Sequence, residues 1–192
     1  MVIEGGGAGT TSRRAMLKNS GAAGAALLLA GCGSDSNPLD VHKIPPEARN
    51  ADVEILNGLL ALEYKAIAAY TAGIPLLEGR HVQTAARQFL SQEISHSGEV
   101  YALLRRANGT AIKHRMSYAF GRPRGHKDVL NLLHALEQEQ IAAYLDAIPN
   151  VSPGPVRAAL TSILANEAQH LVVVRRAQRV EPIPTPFVTG GE

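Results

Sequence analysis

Apolar residues recur through the middle of the chain at alternating steps of four and three, the spacing that keeps one face of a helix buried. Leu56, Leu60, Glu63, Ile67, Tyr70 and Ile74 make one such stripe. Val82, Ala86, Phe89, Glu93, His96 and Val100 make a second. Leu130, His134, Glu137, Ile141, Tyr144 and Ile148 make a third, and Val156, Leu160, Ile163, Glu167, His170 and Val174 a fourth. The pattern predicts four amphipathic helices, each with ionisable residues inside its apolar face. Asn50 is expected to cap the first, and Ser152, Pro153 and Pro155 to cap and open the fourth. Proline at 75 and at 149 is expected to end the first and third.

The stripes are copies of one another. LEYKAIAAY at 62–70 returns as LEQEQIAAY at 136–144, and sliding residues 56–100 along by 74 gives 18 identities in 45 positions. Asn57 meets Asn131, Glu63 meets Glu137, Tyr70 meets Tyr144, Glu93 meets Glu167 and His96 meets His170. The chain therefore holds a duplicated helical hairpin. About 20 residues join the copies, and at up to roughly 3.3 Å each they can run the length of a bundle. The expected fold is all-α: an antiparallel four-helix bundle of two duplicated hairpins with one long crossover.

Hairpin geometry sets the height of each polar residue. Glu63 and Glu93 each lie 15 residues from Glu78, near the first turn. At about 1.5 Å per residue both sit roughly 22 Å from that turn, level with each other. Glu137 and Glu167 repeat this about Ser152. The Glu-x-x-His spacing places His96 and His170 one turn from Glu93 and Glu167, on the same face. Four carboxylates and two imidazoles thus converge inside the bundle, and no lysine or arginine lies on the stripes to pair with them. Buried carboxylates must be neutralised, paired or metal-bound. Two iron or manganese ions would satisfy all six groups, and oxygen-rich ligation with one histidine per metal suits those ions better than structural zinc.

This constellation resembles the ferritin-like family of di-iron carboxylate bundles, and most closely its small exported members, over roughly residues 50–178. The resemblance implies that Glu63 and Glu137 are the single-glutamate ligands of the first and third helices. It implies that Glu93 with His96, and Glu167 with His170, are the paired ligands of the second and fourth. Two iron ions are the implied cofactor, with manganese as second choice, and dioxygen or peroxide the implied reactant. The implied activity is ferroxidase-like or peroxide-consuming oxidation. A non-enzymatic metal-binding, structural or stress-associated bundle is the alternative.

Many family members carry an acid just before the Glu-x-x-His glutamate, whereas Gln92 and Asn166 stand here. An amide donates and accepts but holds no charge. Tyr70 and Tyr144, two turns beyond Glu63 and Glu137, either donate hydrogen bonds near the site or are core tyrosines reaching water. His134 is an extra ligand, a supporting partner, or a residue beyond the metal shell. Glu139 should face solvent, and His42, His114 and His126 fall in tether or crossover.

The remaining segments concern location. Residues 1–31 have Arg13, Arg14 and Lys18 before an apolar run, roughly 21–30, too short to span a bilayer. SRRAML resembles a twin-arginine export signature, with Met16 where an aromatic residue is commonest. LLAGC at 28–32 resembles a lipobox, which would make Cys32 the lipidated first residue of the mature protein. Residues 32–49 look like a flexible tether and 179–192 like a tail. The expected partners are the export machinery and, through the lipid, the outer face of the cytoplasmic membrane or the envelope.

A single cysteine excludes an intrachain disulfide. With Arg13, Arg14, Lys18 and Glu4 removed from the 19 basic and 17 acidic residues, the charge balances. Residues 105–127 are basic and acid-free but match no nucleic-acid motif, so a solvated crossover without a nucleic-acid partner is expected.

Overall fold

The computed structural model describes residues 46–152 and 154–191. The export signal, Arg13, Arg14, Cys32 and most of the tether lie outside them. Four long helices carry the described residues: α1 (Pro46–Gly73), α2 (Arg80–Arg106), α3 (His126–Asn150) and α4 (Gly154–Gln178). No strand occurs among the described residues. None of these helices is long and apolar enough to cross a membrane.

The helix ends differ in detail from the pattern-based expectation. Pro46 to Arg49, assigned above to the tether, are helical, so Asn50 lies inside α1 and caps nothing. Proline is tolerated in a first turn, where its missing N–H has no partner to lose. Pro75 does follow the end of α1, in a short 3-10 turn from Ile74 to Leu76. Pro149 instead sits in the last turn of α3. The amide of Val151 closes that turn on the Ala147 carbonyl at 3.2 Å, and the helix stops one residue after the proline. Gly79, at φ 85°, turns the chain into α2 in a conformation that favours glycine.

Two ties set the hairpins head to tail. The amide of Ser152, in the α3–α4 turn, donates to Oδ1 of Asp52 near the start of α1 at 3.0 Å. The amide of Glu78, in the α1–α2 turn, donates to Nδ1 of His126 at the start of α3 at 3.1 Å. Asp52 and His126 are 74 residues apart, as are Glu78 and Ser152. The same tie is thus made twice with different chemistry, and His126 opens a helix and fastens a turn rather than lying idle in the crossover.

The ties make α1 antiparallel to α3, and the crossover runs back along α1. Asn57 clamps it, donating to the Thr110 carbonyl at 3.0 Å and accepting from the Ile112 amide at 2.9 Å. After α4 the tail folds back, with Arg175 Nε donating to the Glu181 carbonyl at 2.8 Å. Gly190 (φ 79°) lies so close to the α3 backbone at Gln138 and Ala142 that no side chain would fit.

The core is in two parts. Leu56, Leu60, Leu103, Leu104, Leu160 and Tyr144 belong to one apolar cluster. Tyr70, Phe89, Val129, Leu130, Leu133 and Val174 belong to the other.

Asp52 is 3% exposed, so its tie is shielded from water. Asp52→Ala should cost about 1–3 kcal/mol by leaving the Ser152 amide without its acceptor. Asp52→Asn, which keeps an oxygen there, should cost less. Urea unfolding of the three proteins checks both; equal stabilities would remove the tie from the account.

Candidate metal centre

Between the two apolar clusters lies a polar layer. Glu63, Glu93, Glu137 and Glu167 are all 0% exposed, and His170 is as deeply buried. The four glutamates come one from each helix, and the six sequence-predicted donors meet in two overlapping sets. One is Glu63, Glu93, His96 and Glu167; the other is Glu93, Glu137, Glu167 and His170. Within each set one donor atom per residue lies within 4.8 Å of the rest. Glu93 and Glu167 belong to both sets, so the two sets share two carboxylates.

The donor atoms crowd together without satisfying one another. His96 Nδ1 is 2.8 Å from Glu167 Oε1, and His170 Nδ1 is 3.1 Å from Glu93 Oε1 and 3.0 Å from Glu167 Oε2. These separations are short, yet both Nδ1 atoms, both oxygens of Glu167, Glu93 Oε1 and Glu137 Oε2 lack an aligned hydrogen-bond partner. Buried polar atoms are rarely left so. Here they crowd together within the two donor sets.

The other ring nitrogen of each histidine is held from across the bundle. His96 Nε2 is 3.0 Å from Asn166 Oδ1, and His170 Nε2 is 2.9 Å from Gln92 Oε1. With an amide oxygen as acceptor, Nε2 carries the hydrogen and Nδ1 is turned toward the carboxylates. Gln92 and Asn166 thus occupy the position of a supporting acid, each serving the histidine of the other hairpin. The tyrosines cross over in the same way. Tyr70 Oη donates to Glu137 Oε1, and Tyr144 Oη donates to Glu63 Oε1. Both tyrosines are fully buried and neither reaches water.

His134 belongs to neither donor set; its Nε2 is 3.3 Å from Arg175 Nη1. Glu139 is on the surface, paired with Lys65. One residue escaped the sequence analysis. Gln140 is 1% exposed, and its Nε2 donates to Glu93 Oε2 at 3.0 Å and reaches Glu63 Oε2 at 3.5 Å. Its counterpart in the first copy is Ala66. A long amide one turn after Glu137, opposite an alanine, was the available signal.

Electrostatics follow from burial. It pushes Glu137 up to about 8 and Glu63 well above the usual carboxylate range, the latter reinforced by Glu167 and Glu93. Burial also opposes charge on Glu93, but His170 and His96 overcome it and hold that carboxyl well below its ordinary value. Burial opposes charge on both histidines as well. Glu167 and Glu93 nevertheless raise His96 to about 9, while Glu137, Glu167 and Glu93 raise His170 to about 12. Without cations, protons on Glu63, Glu137 and both imidazoles keep the layer near neutrality. Two dications could replace those four protons with no change in net charge. The donor set is therefore compatible with metal binding.

Residues 51–179 match the ferritin-like domain model, and the chain belongs to that family. No match was found among curated proteins. A conserved hypothetical protein of Mycobacterium tuberculosis shares the fold at a TM-score of 0.65 and 20% identity, over 73% of this chain and 99% of its own. A Bacillus anthracis protein described as ferritin-like and diiron-carboxylate does so at 0.62 and 19%, over 69% and 98%.

Tyr144→Phe removes the donor from Glu63 while keeping the ring. In metal-free protein it should lower stability by about 1–3 kcal/mol, measured by urea unfolding. An unchanged midpoint would show that the hydroxyl does not hold Glu63.

Proposed function

We propose that this is an exported, lipid-anchored ferritin-like protein that holds two iron ions, with manganese as second choice, and oxidises ferrous iron or consumes peroxide or dioxygen. The observation that carries the metal reading is the pair of overlapping donor sets sharing Glu93 and Glu167. The ligands would be Glu63, Glu93, His96, Glu137, Glu167 and His170, with Glu93 and Glu167 common to both donor sets. The diiron-carboxylate description of the Bacillus anthracis neighbour supports iron. The chemistry supplied by bound iron is one-electron transfer to dioxygen or peroxide. The chain's own part is to fix the ligands: Tyr70 and Tyr144 orient the single glutamates, and Asn166 and Gln92 orient the imidazoles. The two apolar clusters on either side limit water.

Metal-replete crystals should show two anomalous peaks between these six side chains on crossing the iron edge. Glu93→Ala or Glu167→Ala should cut occupancy at least about tenfold, while Glu139→Ala stays near wild type. Chelation should lower the melting temperature, because metal binds the folded state preferentially. Uptake should release protons and weaken as pH falls, since protons and metal compete for Glu137 and the histidines. Absence of the two peaks would overturn the assignment.

The export reading rests on the order of Arg13, Arg14, the apolar run and LLAGC. Arg13→Lys with Arg14→Lys should strand the precursor in the cytoplasm. Cys32→Ser should leave the protein unprocessed or released from the membrane. Normal membrane fractionation of both variants would refute this.

A further inference from the structure

The duplication provides an internal control for packing. On the α1–α2 turn side of the polar layer, all four helices line a pocket of about 280 Å³. Tyr70 and Phe89 face it, with Ala86, Leu130, Leu133 and Ala177 among the walls. Moving each residue by 74 shows why space remains: Ala86 corresponds to Leu160, and Ala177 to Leu103. Those leucines are 0% and 2% exposed and fill the equivalent region of the other half. Phe89 is larger than its counterpart Ile163, but its ring is stacked on His170, with centroids 4.1 Å apart. The void is therefore not forced by the architecture. Leucine fits the same positions in the copy, and core alanines in place of leucines typically cost about 2–5 kcal/mol each.

The lining also has a charge pattern. Its ionisable members other than Tyr70 are His81 and Arg176, both exposed, and no acid lines it. Every other lining side chain is apolar or aromatic. Counterparts of the two are Pro155 and Ala102, so the basic mouth, like the void, exists in one half only. A concave apolar site with a few convergent polar groups is the usual form of a small-ligand pocket, and this volume is near its lower limit of about 300 Å³.

We infer that this pocket binds a small organic carboxylate, its apolar body between Ala86 and Ala177 and its anionic end at Arg176 and His81. The site lies beside the metal layer and is separate from the metal reading: Tyr70 and Phe89 stand between them, touching Glu137 and His170.

Octanoate is a suitable probe, titrated into the full-length chain against a bound anilinonaphthalene sulfonate fluorophore. Saturable displacement at one site per chain is expected in metal-free and iron-loaded protein alike, so failure of the metal assignment would not be mistaken for failure here. Ala86→Leu with Ala177→Leu, which copies the other half, should weaken octanoate at least tenfold without loss of helix content. Arg176→Gln should weaken octanoate several-fold more than octanol. Methyl NMR of the parent protein gives a readout that needs no variant: shifts at Leu130, Leu133 and Val174 support the site. No saturable binding, equal binding after the leucines are installed, equal effects on octanoate and octanol, or shifts confined to other methyls would each overturn it.

Discussion

Four carboxylates in the dry middle of a bundle are the constraint to which the rest of this structure answers. Moving one such ion from water to a low-dielectric interior costs on the order of 20 kcal/mol in the ideal limit, and several even after relaxation. A domain of this size has only about 5–15 kcal/mol of net stability. The layer is therefore tolerable only if its charge is cancelled locally. Protons do this when cations are absent: burial favours the neutral forms of Glu63 and Glu137, and neighbouring carboxylates favour charge on both imidazoles. Cations could do it equally well, and they would also give the orphaned oxygens and Nδ1 atoms a partner.

The apolar clusters above and below supply the folding energy, and the supporting hydrogen bonds decide which way the donors point. Those bonds cross between hairpins. Tyr70 and Tyr144 each hold the single glutamate of the other copy, and Gln92 and Asn166 each hold the other copy's histidine. Neither hairpin could orient its ligands alone. The Asp52–Ser152 and His126–Glu78 ties fix the register in which this exchange occurs. A slip of one turn, about 5.4 Å, would separate every hydroxyl from its carboxylate.

Much of this was readable in the chain. Periodicity identified the buried face of each helix, and the 74-residue offset paired Glu63 with Glu137 and His96 with His170. Equal distance from a turn put the glutamates at one level. What periodicity cannot give is the partner across a helix–helix contact, because spacing along one helix sets a direction and not a neighbour. Tyr70, Tyr144, Gln92 and Asn166 stood out as neighbours of the site, but which glutamate or histidine each serves across the bundle was hidden for that reason. Gln140 was hidden differently: the repeat brings out matches between the copies, and its position is a mismatch with Ala66. Asn50 misled at the start of α1, where local signals are weakest, whereas Pro149 marked the end of α3 to within one residue.

Covalent linkage of the two hairpins has a consequence for symmetry. A homodimer of one hairpin would be bound to a strict two-fold axis, so that any change near the polar layer would appear on both sides at once. A cavity would then be duplicated, along with its loss of packing, and so would an amide such as Gln140. In the single chain the same positions are free to diverge. Gln140 faces Glu93 from one copy while Ala66 stands in the other, and Leu160 seals one half while Ala86 leaves the other open. The bundle is thus a pseudo-dimer whose two ends differ: leucine fills one, alanine leaves a pocket in the other, and the two donor sets between them have different surroundings.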